Sequence, residues 1–171
     1  MSEELKCILC EKNARGSDVQ GKSASFVECN TCGNYEFERF FEKAYIYMPK
    51  EKRAMLSAYS RNRFEHEEEP PELRDPKNLE EIIAVCESKA LDEKLKNLIW
   101  YIRKKSHQFG DSVSWNAEKD YPITYSLSPQ EFTKIRDLAI EKGLLLWKAR
   151  GVGLELTEEG WKMGIELMKS S

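Results

Sequence analysis

Two Cys-x-x-Cys pairs near the start of the chain constrain its fold more than any other feature of the sequence. Cys7-Ile8-Leu9-Cys10 and Cys29-Asn30-Thr31-Cys32 are separated by 18 residues. Two cysteines spaced this way reach one ion from a tight turn, and zinc favours four such thiolates in a tetrahedron. Redox pairs would each need a thioredoxin-like βαβ setting, which this stretch does not offer. The spacing therefore predicts one structural zinc ion, Zn2+, held by Cys7, Cys10, Cys29 and Cys32. Four protein ligands leave no open position for water or substrate, so the ion is expected to contribute folding free energy, on the order of 10 kcal/mol, rather than catalysis.

The surrounding residues agree. The first forty are short of aliphatic side chains and rich in Gly, Ser and Asn, so hydrophobic burial alone would not hold them. Ser25-Phe26-Val27-Glu28 reads as a strand feeding the second pair, and Gly33 permits a positive φ directly after it. The fifth cysteine, Cys86, lies in an apolar run and reads as a small buried side chain. Five cysteines, four of them in two metal-type pairs, suit a reducing compartment, and the acidic N-terminus is unlike a signal peptide, so a cytoplasmic location is expected.

The rest of the chain predicts an α+β protein in three parts: a zinc ribbon over 1–40, a helical connector and linker over 41–77, and a winged helix domain over 78–171. Phe37, Phe40, Phe41 and Tyr45 have helical spacing, which predicts an amphipathic helix from Tyr35 to Tyr45, ended by Pro49. A second helix is expected from Pro49 to about Glu65. The charge run at Glu65–Glu69 and the pair Pro70-Pro71 then read as an exposed linker. Asn78 is expected to cap a helix over Leu79–Ser88, and Leu91, Leu95, Leu98, Ile99 and Ile102 mark another. Tyr121–Ser126 reads as a short strand, Ser128-Pro129 as a helix start, and Gly143 as that helix's C-terminal cap. Two apolar runs flanking Arg150-Gly151-Val152-Gly153 predict a hairpin, and Thr157 caps a last helix with Trp161, Ile165 and Met168 on its apolar face.

Charge is evenly mixed, with net charge −3 and pI near 5.6, so no global field draws the chain to nucleic acid. A local patch is the alternative. Lys134 and Arg136 on the helix before the hairpin, Lys148 and Arg150 at its tip, and Arg53, Arg61 and Arg63 on the helix from 50 to 65 are the candidate contacts to DNA or RNA. His66 and His107 lack a nucleophile or carboxylate in any recognisable motif, and Gly151-Val152-Gly153 lacks the third glycine of a dinucleotide loop, so no catalytic residue is expected and the chain does not read as an enzyme.

Cys7-x-x-Cys10, Phe26-x-x-Cys29-x-x-Cys32-Gly33-x-Tyr35 and Leu56-Ser57-x-Tyr59-Ser60-Arg61 resemble the N-terminal region of a group of bacterial and archaeal proteins. Asp120-Tyr121-Pro122-Ile123, Glu131-Phe132, Glu141-Lys142-Gly143-Leu144 and Leu156-Thr157-x-x-Gly160-Trp161 resemble the winged helix segment of the same group. In that group such a region often precedes a C-terminal TIR-like or nucleoside-deoxyribosyltransferase-like domain, an architecture that implies nucleotide-cleaving effectors of antiviral defence. The sequence ends at Ser171, after the last expected helix, so the resemblance implies either an N-terminal fragment or a stand-alone relative whose partner supplies the activity. The resulting expectation is a regulatory zinc-binding module that binds or senses nucleic acid. Its alternative is a protein-interaction or oligomerisation module controlling a separate effector. No membrane association is expected, since no apolar run approaches the roughly 18 residues needed to span a bilayer.

Overall fold

A computed structural model describes residues 3–148 and 153–170, apart from the side chain of Phe41. The chain is α+β and divides into two compact units, Met1–Ser88 and Lys89–Ser171.

The first unit is built on a five-stranded sheet in sequential order. Strands β1 (Glu3–Lys6), β2 (Asn13–Asp18), β3 (Ala24–Cys29) and β4 (Gly33–Glu38) form an antiparallel meander, and β5 (Glu72–Leu73) pairs parallel to β4. The helix expected over 35–45 is therefore a strand in its first half. Gly33, Tyr35 and Phe37 are buried at every second position, and Val27 pairs with Tyr35. This period of two overrides the helical spacing of the aromatics. The chain turns helical only in a 3-10 turn at Arg39–Phe41 and in α1 (Glu42–Tyr47), of which Tyr45 is the one buried residue.

Helix α2 (Lys50–Glu65) matches expectation and packs on β4 and on α3 (Pro76–Glu87). The segment expected as an exposed linker is part of this unit. Leu73 is fully buried in β5, and Asp75 caps α3 by accepting from the backbone N–H groups of Lys77 and Asn78. Pro76 opens the helix, where a missing N–H costs nothing. Asn78, expected as the cap, instead accepts from Arg74 N–H at 3.1 Å. Leu79, Ile82, Ile83 and Cys86 bury α3, and the Cys86 thiol donates to Met55 O at 3.4 Å, so the unit continues to Ser88 where a boundary near 77 was expected.

The second unit runs through α4 (Leu91–Lys105), α5 (Ala117–Asp120), α6 (Pro129–Glu141), β6 (Leu145–Trp147), β7 (Leu154–Leu156) and α7 (Glu158–Lys169). Its core gathers Leu98, Ile99, Ile102, Ile123, Phe132, Ile135, Leu145, Leu154 and Leu156. The caps follow the sequence reading: Ser128 accepts from Glu131 N–H, Thr157 from Gly160 N–H, and Gly143 takes a positive φ of 68° after α6. Strands β6 and β7 pair antiparallel with Leu145 opposite Leu156, and Val113 bridges Leu154 on the far side. Residues 149–152, including Arg150 and the expected hairpin tip, lie outside the described residues.

Two expectations fail in this unit. Tyr121–Thr124 is a 3-10 turn, not a strand, with Pro122 near its start and Tyr125 left-handed at φ 53°. Pro122 supplies no ladder donor, and the turn buries Ile123 and Thr124 instead. On α7 the fully buried positions are Gly160 and Gly164, while Met168 is exposed. A Cβ at Gly164 would stand 2.7 Å from Arg103 Cβ, so glycine lets α7 approach α4 closely. Trp161 is half-buried and stacks over the Arg103 guanidinium at 3.9 Å. No helix among the described residues is long and apolar enough to cross a membrane.

Candidate metal centre

Cys7 and Cys10 lie in the turn between β1 and β2. Glu11 N–H donates to Cys7 O, and Cys7 N–H to Lys12 O, both at 2.8 Å, which folds this first loop tightly. Cys29 ends β3, and Cys32 precedes β4. Gly33, with φ 74°, closes the second loop, and a Cβ there would stand 2.6 Å from Phe64 Cβ. The glycine is thus required both by conformation and by the close approach of α2.

The four sulfurs lie within 4.8 Å of one another. Cys7 Sγ and Cys32 Sγ are 3.7 Å apart, and Cys10 Sγ and Cys29 Sγ 3.5 Å. A tetrahedron with zinc–sulfur bonds of about 2.3 Å has edges of about 3.8 Å, so these two opposite edges fit one thiolate-bound ion. They are far longer than the roughly 2.05 Å of a disulfide, and all the cysteines are free thiols. Four thiols or thiolates this close are poor company without a cation. Hydrogen bonding from Cys10 and Cys32 draws Cys29 well below the usual thiol range, whereas contact with Cys29 pushes Cys10 up and burial pushes Cys32 up.

A layer of donors surrounds the sulfurs. The Ser57 hydroxyl donates to Cys32 Sγ at 3.0 Å, and Cys32 N–H points at Cys29 Sγ at 3.5 Å. The Tyr35 hydroxyl lies 3.1 Å from Cys7 Sγ. Burial, and then the negative charge at Cys7, push the Tyr35 hydroxyl above its ordinary range, so it keeps its proton and can donate to a thiolate at Cys7. Such hydrogen bonds orient ligands and tune the metal they hold.

Helix α2 supplies much of this layer from one face, at positions spaced by four. Arg53 pairs with Glu11, next to Cys10, at 2.7 Å. Ser57 reaches Cys32, and Arg61 donates to the carbonyls of Asn30 and Thr31 at 2.6 and 3.2 Å. Arg61 also pairs with Glu65, both side chains being buried. One guanidinium nitrogen thus holds the two carbonyls inside the second Cys-x-x-Cys loop while the other two face Glu65.

Arg61, expected as a nucleic-acid contact, is buried among these protein partners. Arg53 is mostly covered, at 15% side-chain exposure. Arg63 is partly exposed, pairs with Glu68 and donates to Glu69 O. In the second unit, Arg136 sits between Trp115 and Trp147, with ring centroids at 4.6 and 4.8 Å, and pairs with Asp137. Lys148 bridges Gly110 O and Glu155. Lys134 is exposed on α6, and Arg150 lies outside the described residues.

Sequence reasoning found the four sulfurs but did not assign Tyr35 and Ser57 to them. The signal was present: Arg53, Ser57 and Arg61 recur at helical spacing on one face. Compared with models of protein families, with curated proteins and with solved structures, the chain matches none.

Proposed function

We propose that the chain is a zinc-stabilised recognition module without catalysis of its own, in which Cys7, Cys10, Cys29 and Cys32 hold one structural Zn2+. The observation that supports this is the pair of opposite sulfur–sulfur edges at 3.7 and 3.5 Å, surrounded by hydroxyl and amide donors. All-thiolate tetrahedral sites take zinc or iron. Zinc is the reading here because a closed site of this kind is a common structural element. Metal analysis of protein purified without added metal tests it, with one zinc per chain expected. A coloured protein carrying one iron would overturn the choice of ion, and a metal-free folded protein would overturn the site.

We read residues 89–171 as a winged helix, supported by the order of α4, α6, the β6–β7 hairpin and α7 and by the Val113 bridge as a third short strand. The partner favoured by the side chains is a protein. Of the candidate cations described, Arg61 is buried and Arg53 and Arg136 are largely covered, while Phe40 in the 3-10 turn and Tyr47 at the end of α1 are 89% and 83% exposed. Exposed aromatic side chains are characteristic of protein contacts. Nucleic acid is the second reading, favoured by exposed Lys134 on the helix before the hairpin. Titration with mixed DNA and RNA at about 50 and 200 mM salt separates the two, because phosphate contacts weaken steeply over that range. No binding is expected. Salt-sensitive binding lost on Lys134→Glu would establish the second reading.

A further inference from the structure

The four ligands differ in what else touches them. Cys7, Cys29 and Cys32 are buried, whereas Cys10 is only partly so. Cys7 has the Tyr35 hydroxyl, Cys32 the Ser57 hydroxyl and Cys29 the Cys32 N–H. Among the described residues, Cys10 has no hydroxyl or amide donor of that kind, and of the other three sulfurs, all within 4.8 Å, Cys29 Sγ stands at 3.5 Å. A hydroxyl or amide donor ties up thiolate lone-pair density and lowers nucleophilicity. Burial excludes the electrophile. Both protections are weakest at Cys10, and among four sulfurs all held as thiolates by zinc the order of oxidation follows access.

We infer that Cys10 is a modification site for peroxides, with Cys29 as its resolving thiol; this rests on the zinc reading above. The Cys10 thiolate attacks one peroxide oxygen, the O–O bond breaks, and hydroxide leaves, giving a sulfenic acid. The Cys29 thiolate then attacks the Cys10 sulfur. The S–S bond forms, the S–O bond breaks, and a second hydroxide leaves. Two thiolates lose two electrons and hydrogen peroxide becomes two hydroxides, so the step balances. Zinc loses two of its four ligands, one from each loop, and is released. The Cys7–Cys32 pair, at 3.7 Å, is similarly close but shielded at both ends.

The test treats the full, zinc-loaded chain with limiting hydrogen peroxide. A chromophoric chelator follows zinc, free thiols are then blocked, and peptides are mapped by mass. The first product expected is a Cys10–Cys29 disulfide, with one zinc released per disulfide. A first disulfide containing Cys7, Cys32 or Cys86, or zinc retained after the Cys10–Cys29 bond has formed, would overturn the inference. Metal content measured before oxidation separates this from the parent reading, since a chain without zinc fails there first. Ser57→Ala removes the hydroxyl at Cys32 and leaves that sulfur buried. Cys10 is expected to remain the first site in this variant, and a shift of the first hit to Cys32 would show that donors alone, not access, set the order.

Discussion

The two units reach stability by different routes. Residues 89–171 enclose a continuous apolar core of aliphatic and aromatic side chains from three long helices and a hairpin. The outer strands of the first unit have no such core: β1 is exposed or half-exposed along its length, and β2 buries only Ala14 and Gly16. Those strands are joined to the rest by the β2–β3 ladder and by the sulfur quartet, with one pair at the β1–β2 turn and the other at the β3–β4 turn. The proposed zinc site accounts for the folding of a glycine- and serine-rich stretch: where the sequence cannot bury enough apolar area, ligand bonds would substitute for it and make stability conditional on metal.

The largest effect expected is from Cys29→Ser. Loss of one thiolate should remove most of a contribution on the order of 10 kcal/mol and leave 3–38 without protection in amide exchange. A core substitution in the other unit, Leu98→Ala, sharpens the contrast. Leu98 is fully buried, so truncation should cost about 2–5 kcal/mol by thermal or denaturant unfolding, with zinc content unchanged. Arg61→Met removes the buried Arg61–Glu65 ion pair and the donor to the Asn30 and Thr31 carbonyls. It should cost about 3–5 kcal/mol, with zinc affinity falling about 10- to 100-fold by competition with a chelator. Arg61→Lys cannot supply the fork and should recover little of either. Smallest is Thr157→Ala, which removes the α7 cap and should cost about 1 kcal/mol in unfolding experiments without touching the metal.

Acid gives a further handle. The ligands must be thiolates, so protons compete with zinc, and zinc release should grow as pH falls. Stability of the first unit is then present at neutral pH and lost on acidification, measurable by amide exchange across a pH series.

The site was the most legible part of the sequence because Cys-x-x-Cys spacing is a local property that tertiary context does not alter. Helix caps at Ser128 and Thr157 were equally local and equally readable. The misreadings have a common cause. Tyr35 and Phe37 carry both a period of two and, with Phe40, Phe41 and Tyr45, helical spacing; only pairing with β3 decides between them. Leu73 is one apolar residue beyond a charged, proline-containing run, and nothing local reveals that it completes a sheet edge. Arg61 reads as a surface cation because its acceptors are backbone carbonyls 30 and 31 positions away. Positive charge in a sequence does not distinguish a phosphate contact from a clamp on a loop.

Amide exchange on the full chain, with zinc bound and after chelation, tests the central claim most directly. Chelation should abolish protection across 3–38 while the core helices α4 and α6 keep theirs. Protection across 3–38 that survives chelation would contradict the account and show that the first unit folds without a metal.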